Sequence, residues 1–368
     1  MNTVFAKEVY TNGKVLENML IMAADGVVTA MRRGSPGESP LTVERLAPGF
    51  LDLQVNGGAR LNFTENGTLD AVADIDQACA ATGTGYTLPT LISAPLENIL
   101  RGIEAVRAYR ERLPGSGVLG MHLEGPFLNP IRCGAHPHNF IRNPTDAELD
   151  EIIRHGEGVV RLMTIAPELF TDAQLDKLLD AGMTLSVGHS NASYEAAIHA
   201  FGRGIHLVTH LYNAMSPFLA RHPGLIGAIF DSPEVATPLI LDGFHSHYSA
   251  GRMAYKIKKD KLFLVSDALF AGKTQQHYVW GEFNAHLQDD KYLTDDGALA
   301  GSTISLGDAV RNAVYQIGIP LPEAIQMVTE RPAAEIGMEH QIGHIRHGYP
   351  AVFTVFDGVL DGFTLLRL

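Results

Sequence analysis

At 368 residues, with 46% hydrophobic and 19% charged residues, the chain has the composition of a soluble globular protein. Its length suits one large barrel, alone or with a smaller domain attached. A formal charge of −13 supplies none of the basic field that neutralising phosphate backbones requires, which excludes a general nucleic-acid binder but not a small anion held by local cations. No apolar run approaches the length of a membrane span, and Met19 to Ala24 is too short and wrongly flanked for a signal peptide. The only cysteines, Cys79 and Cys133, form neither a metal-ligand spacing nor a disulfide framework, so the expected location is cytoplasmic.

The N-terminal residues alternate as short strands at Thr3 to Ala6, Lys14 to Leu16, Asn18 to Ala23 and Val27 to Met31, the last after an Asp25-Gly26 turn. Tyr349 to Val359 is strand-like again, with Asp357-Gly358 as a turn. Residues 1–46 and 341–368 therefore read as two parts of one small β-sandwich domain closed by pairing of the termini, flanking a central domain at 47–340.

In that central domain, eight strand-like runs end in polar or ionisable residues and alternate with helical stretches: Gly49–Gln54, Gly85–Thr90, Val118–Leu123, Val159–Ile165, Thr184–Gly188, Ile205–Thr209, Pro238–Leu241 and Lys261–Ser266. Eight parallel strand–helix units close into an α/β barrel of the (β/α)8 TIM type. An open doubly wound sheet has no reason to stop at this count, and no Gly-x-Gly-x-x-Gly turn follows any of the strands. Helices are expected at Leu69–Thr82, Leu96–Arg112, Thr145–His155, Thr171–Ala181, Ser193–Phe201, Ser302–Ile317 and Leu321–Ile336. Between the eighth strand and the helix from Ser302, the stretch Gly272–Gly281 reads as either a lid or a surface hairpin.

Chemistry in such a barrel sits at the carboxyl ends of the strands. Those ends carry Gln54 and Asn56, Thr90, Glu124, Glu168, His189, His210, Asp242 with His245, and Asp267. His189 and His210 follow successive strands of one right-handed crossover and emerge side by side; with Glu124 they supply two nitrogens and one oxygen, a set that suits zinc or another first-row divalent ion with a position left for water. Any single histidine of the 16 is a weak signal; three residues on one predicted rim make a stronger one. Asp267 is either a solvated loop residue or the carboxylate that takes a proton from an activated water. His136, in a loop beyond Glu124, is either a loop histidine or a donor to a substrate carbonyl. Arg221 and His245, on rim loops, are cations suited to a phosphate, although an exposed structural arginine is the commoner outcome.

The motifs Pro48-Gly49-Phe50-Leu51-Asp52-Leu53-Gln54-Val55-Asn56-Gly57, His122-Leu123-Glu124-Gly125-Pro126, Gly188-His189-Ser190-Asn191-Ala192, His210-Leu211-Tyr212-Asn213-Ala214-Met215, Asp242-Gly243-Phe244-His245, Ser266-Asp267-Ala268 and Leu299-Ala300-Gly301-Ser302 resemble those of the N-acetylglucosamine-6-phosphate deacetylases of the amidohydrolase superfamily, in order and spacing from about residue 46 to 340. The resemblance implies Glu124, His189 and His210 as metal ligands, Asp267 as general base and then acid, and His136 as a contact to the reacting group. It further implies a sugar-phosphate pocket at Ala135, Asn213, Ala214, Asp242, Gly243, Phe244, His245, Leu299, Ala300 and Gly301, and a homodimer in which Arg221 and His245 reach the neighbouring site. The substrate implied is N-acetyl-D-glucosamine 6-phosphate, hydrolysed to acetate and the free amine.

Many amidohydrolases carry His-x-His where this chain has Gln54-Val55-Asn56, and neutral amides are poor zinc ligands. One divalent metal ion per chain is therefore expected, with zinc the best match. The same departure weighs against a cyclic-amide hydrolase. A galactosamine epimer as substrate stays open, and a non-catalytic sugar-phosphate binder is disfavoured because all the reactive residues are present.

Overall fold

Two hydrophobic periods in the sequence become two separate sheets in the computed structural model, which describes residues 2–368. The period-two stretch at the N-terminus forms β1 (Asn2–Thr11), β2 (Lys14–Ala24) and β3 (Val27–Arg33), an antiparallel meander. Both of its turns, Asn12-Gly13 and Asp25-Gly26, have positive φ at both residues, the geometry that two-residue hairpins require. A further strand, β4 (Thr42–Pro48), runs parallel to β1 and leads directly into the barrel. It extends the sheet beyond the strands expected from the alternation.

The barrel strands are β5 (Phe50–Val55), β6 (Thr84–Leu91), β7 (Met121–Glu124), β8 (Val160–Ile165), β9 (Thr184–Val187), β10 (Leu207–Val208), β11 (Thr237–Leu239) and β12 (Leu262–Leu264). Each overlaps an expected strand, the largest offset being at β7, which begins three residues after Val118. They pair in parallel and in chain order from β5 to β10; a bridge between Leu207 and Ala236 carries the sheet on to β11, which pairs with β12. Just past the strands, Asp267 N donates to Gln54 O (2.9 Å) and Asn56 N to Ala268 O (2.9 Å), which closes the ring. Strands β5 and β6 are buried along their whole length, as parallel strands covered by helices must be.

Six of the expected helices are present with their caps: the side chains of Thr68, Thr145, Thr171, Ser193 and Ser305 each accept a backbone N–H in the first turn of the helix that follows, and Pro95 precedes Leu96–Arg112. The helix expected from Ser302 starts at Leu306, because Ser305 is its cap. The single helix expected over Leu321–Ile336 is two, Leu321–Gln326 and Glu330–Glu335. Pro332 has no N–H for the carbonyl of Val328 and its ring would collide with that carbonyl, so the helix cannot run through.

The Gly272–Gly281 stretch is only the entry to a larger insertion. Strands β13 (His277–Trp280), β14 (Phe283–Gln288) and β15 (Lys291–Thr294) form a three-stranded antiparallel sheet packed at the barrel mouth around Leu269, Phe270, Phe283, Ala285, Tyr292 and Ala300. The chain then returns through β16 (Val352–Phe356), antiparallel to β4, and β17 (Phe363–Arg367) at the sheet edge. The two termini thus share one six-stranded sheet, in the order β17-β16-β4-β1-β2-β3, with a core of its own that includes Val4, Val9, Ile21, Leu46, Ile345 and Phe353. Among the described residues, no helix is long and apolar enough to cross a membrane.

Candidate active site

Three reactive residues share an unusual backbone. His189, His210 and Asp267, which follow β9, β10 and β12, all sit in the left-handed region, with φ of +47°, +30° and +50°. Non-glycine residues avoid this region because Cβ crowds the backbone, and its use at functional sites reflects a side chain held in place by its surroundings. Gly188 permits the tight approach next to His189: a Cβ there would lie 2.6 Å from Thr209 Cβ.

The side chains meet over the barrel axis. Glu124 Oε1 is 3.2 Å from His189 Nε2 and 3.1 Å from His210 Nε2, and the two imidazole nitrogens are 3.1 Å apart. All three residues are buried. Donor atoms around a tetrahedral cation with bonds of ~2.0–2.1 Å stand about 3.3 Å apart, close to these spacings. The proton positions support the fit. His189 Nδ1 donates to the Arg132 carbonyl (3.0 Å), so the neutral ring turns a bare lone pair on Nε2 towards the Glu124 oxygen, free to serve as a metal ligand.

His136 also lies close enough to Glu124 and His189 to complete a ligand set by distance alone. Its tautomer argues for another role. Ser93 N–H donates to His136 Nδ1 (3.2 Å), which leaves the ring proton on Nε2, 3.7 Å from Glu124 Oε2. A protonated nitrogen is a hydrogen-bond donor and not a ligand.

Asp267 stands beside this cluster. Its Oδ1 accepts from Asn56 Nδ2 (2.8 Å) and Gln54 Nε2 (3.1 Å), and the same Gln54 nitrogen donates to Glu124 Oε1 (3.0 Å). Burial, reinforced by the negative charge of Glu124, pushes the Asp267 carboxyl up to about 6. Burial alone would raise Glu124 as well, but the surrounding imidazoles of His136, His189 and His210 hold it well below the usual carboxylate range. Burial and the neighbouring His136 lower His189 to about 4; burial acts in the same direction on His210, where hydrogen bonding and charge from Glu124 outweigh it and raise it.

These groups form one end of a cavity of about 270 Å³. Of the residues predicted for substrate, Ala135, His136, Asn213, Ala214, His245, Leu299, Ala300 and Gly301 line it. Asp242, Gly243 and Phe244 do not reach it. Asp242 instead anchors the loop, taking His245 Nδ1 (2.6 Å) and the backbone N–H groups of Phe244 and His245 (2.8 Å each). Phe244 is exposed beneath the Lys291 ammonium. Arg221 is exposed and lines a separate depression with Ser216 and His222. His245, held by Asp242 and with its side chain only 6% exposed, lines its own chain's cavity.

Sequence reasoning missed Asn62, Thr64, Ile92, Tyr278, Trp280 and Phe283 as cavity-lining residues. They come from the cap and first turn of a short helix after β5 (Phe63–Asn66), the residue just past β6 and the β13–β15 insertion, and none is an ionisable residue at the end of a barrel strand. The buried atoms Asn56 Oδ1 and Tyr278 Oη have no partner within the protein.

A model of the amidohydrolase family matches residues 45–366. The chain belongs to the amidohydrolase family. The family is metal-dependent, in keeping with the buried donor cluster at Glu124. Among its amidohydrolase relatives, the chain is 33% identical to the N-acetylglucosamine-6-phosphate deacetylase of Haemophilus influenzae, covering 95% of this chain and 90% of that one. It is 34% identical to the N-acetylgalactosamine-6-phosphate deacetylase of a Shewanella species, again over 95% and 90%. The crystal structure of N-acetylglucosamine-6-phosphate deacetylase from Pasteurella multocida superposes with a TM-score of 0.92 at 30% identity, covering 100% of this chain and 97% of that one. A mutant of the Mycobacterium smegmatis enzyme in complex with N-acetyl-D-glucosamine-6-phosphate superposes at 0.91 with 29% identity and the same coverage.

Proposed function

We propose that this amidohydrolase removes the acetyl group of N-acetyl-D-glucosamine 6-phosphate, giving acetate and D-glucosamine 6-phosphate. The observation that carries the reading is Asp267, tuned to about 6, standing next to three buried donors that face one another at 3.1–3.2 Å. The names of relatives that align over nearly the whole chain support the same substrate class.

Glu124, His189 and His210 would hold one divalent ion, and two imidazoles with a carboxylate suit zinc. When bound, such an ion activates a water and polarises the amide carbonyl. Asp267 takes the proton of the attacking water and returns it to the departing amine, for which a carboxyl group near 6 is well matched. His136 Nε2–H donates to the carbonyl oxygen as its negative charge grows, held in orientation by Ser93. Gln54 supports a count of one metal, because its neutral amide nitrogen donates to Glu124 and Asp267 and offers a second cation no ligand there.

His245 would meet the phosphate from within its own cavity. Arg221, exposed and outside that cavity, is free to reach a neighbour's, and a homodimer belongs to this reading. So does a cytoplasmic location, where the free thiols of Cys79 and Cys133 persist.

The galactosamine epimer is a second reading, favoured by relatives of that name at 31–34% identity. Acetate release measured on both epimeric 6-phosphates and on unphosphorylated N-acetylglucosamine tests all three points. The glucosamine phosphate is expected to give the highest kcat/KM. A higher value for the galactosamine phosphate transfers the assignment to the epimer, and equal rates with and without phosphate defeat the phosphate pocket.

A further inference from the structure

The loop Asn129–His136 and the turn His189–Asn191 are tied together by contacts of which the chemistry proposed above uses only one, that of His189 Nδ1 with the Arg132 carbonyl. At their centre is Glu168, half-buried just after β8. Its Oε2 accepts the Ser190 hydroxyl (2.7 Å), and its Oε1 accepts the Asn191 N–H (2.7 Å) and the Asn129 side-chain amide (3.0 Å). The ties continue between the two segments themselves. Asn129 N–H donates to the His189 carbonyl (2.9 Å), Arg132 Nε donates to Asn191 Oδ1 (3.0 Å), and the Arg132 carbonyl accepts the His189 Nδ1 proton (3.0 Å).

His189 itself is held in the left-handed region, so its turn depends on such outside contacts. Beyond Arg132 the loop passes Gly134, where a Cβ would lie 3.3 Å from His189 Cε1, and then reaches His136, whose ring centroid is 4.4 Å from that of His189. The two imidazoles are thus carried by segments that grip each other and a common carboxylate.

We infer that Glu168 is a positioning residue for both His189 and His136. Its carboxylate fixes the turn that presents His189 Nε2 and, through Asn129, the loop that sets His136 against it. Glu168 touches no substrate; it acts by orienting a ligand-type histidine through the groups around it, a role whose loss typically weakens metal affinity by about 10–100-fold. The inference rests on the reading of His189 as a metal ligand.

The test measures zinc dissociation by chelator competition, together with kcat and KM at saturating zinc, in the full-length parent, Glu168→Ala, Glu168→Gln and Asn129→Ala. Glu168→Ala is expected to bind zinc about 10–100-fold more weakly, and its kcat to fall about tenfold with KM within about twofold, because phosphate contacts lie elsewhere. Glu168→Gln keeps an oxygen for Asn191 and Asn129 and is expected to restore most of both. Asn129→Ala, which removes one arm at the surface, is expected to show a smaller loss in the same direction and keeps the question open to measurement should Glu168→Ala fail to fold. Zinc bound as tightly by the Glu168→Ala or Asn129→Ala protein as by the parent overturns the inference, as does a glutamine variant as impaired as a folded alanine one. A parent protein that binds no zinc defeats instead the reading of the site on which the inference rests.

Discussion

Gln54 and Asp267, 213 positions apart in the chain, meet side chain to side chain where the first and eighth barrel strands close the ring, with Gln54 Nε2 3.1 Å from Asp267 Oδ1. Asn56 donates to the same oxygen. Burial and the Glu124 charge raise Asp267 to about 6, and the Asn56 hydrogen bond works against them. As a base Asp267 must be ionised, so kcat/KM should rise with pH and level off above about 6; a bound cation moves that limb to lower pH. In Asn56→Ala one donor to the charged form is gone, and the limb should move to higher pH. A pH profile that leaves the limb in place, or moves it down, would count against Asp267 as the titrating base.

Asp267→Asn should keep the fold and the metal, because the amide matches the carboxylate in shape and none of the three donors at Glu124, His189 and His210 is altered. Turnover should fall by about 10²–10⁴-fold, the usual contribution of a general acid–base group. Metal content by elemental analysis beside kcat is the check, and unchanged turnover would sink the assignment.

Arg221→Ala should raise KM at least about tenfold with little change in kcat, since the phosphate is remote from the bond that breaks. If the residue serves a neighbouring site, mixing Arg221→Ala with Glu124→Ala chains should restore activity, because each hybrid dimer holds one site with both residues intact. Hybrids no more active than the separate variants would place Arg221 outside the site.

Asp52 lies one layer below, fully buried, with Oδ1 accepting the N–H groups of Gln54 and Ser266 (3.2 Å each). Burial raises its carboxyl to about 7, far above the unfolded value. A folded pKa above the unfolded one means that this group's contribution to stability is full below about 4 and is lost as pH rises through about 7. Thermal melts from pH 5 to 8.5 should show Asp52→Asn gaining on the parent as pH increases. Parallel curves for the two proteins would refute the shifted carboxyl.

Much of this could be read from the chain because its signals are local. Apolar runs of strand length ending in His189, His210, Glu124 and Asp267 announce both the barrel strands and the rim residues, and threonines and serines mark helix starts within a residue or two. Glu168 shows where local reading stops. It stands at a strand end like the others, yet it contacts Ser190, Asn191 and Asn129 and does not line the cavity. The insertion β13–β15 carries Tyr278, Trp280 and Phe283 to the barrel mouth, but a strand's alternation says which residues share a face and not what that face will meet.

The sequence by itself determined the eight strand–helix units, the identity of the reactive groups and their place at the carboxyl ends of strands, because each follows from periodicity and residue chemistry along a short stretch. Only the tertiary structure decided how those groups meet. Ring closure brings Gln54 and Asn56 onto Asp267, left-handed turns bring three donor atoms to within 3.2 Å of one another, Ser93 fixes the His136 tautomer, and Asp242 turns His245 into its own cavity. These relations join residues tens to hundreds of positions apart, whose spacing is set by packing of the closed barrel and not by any pattern along the chain.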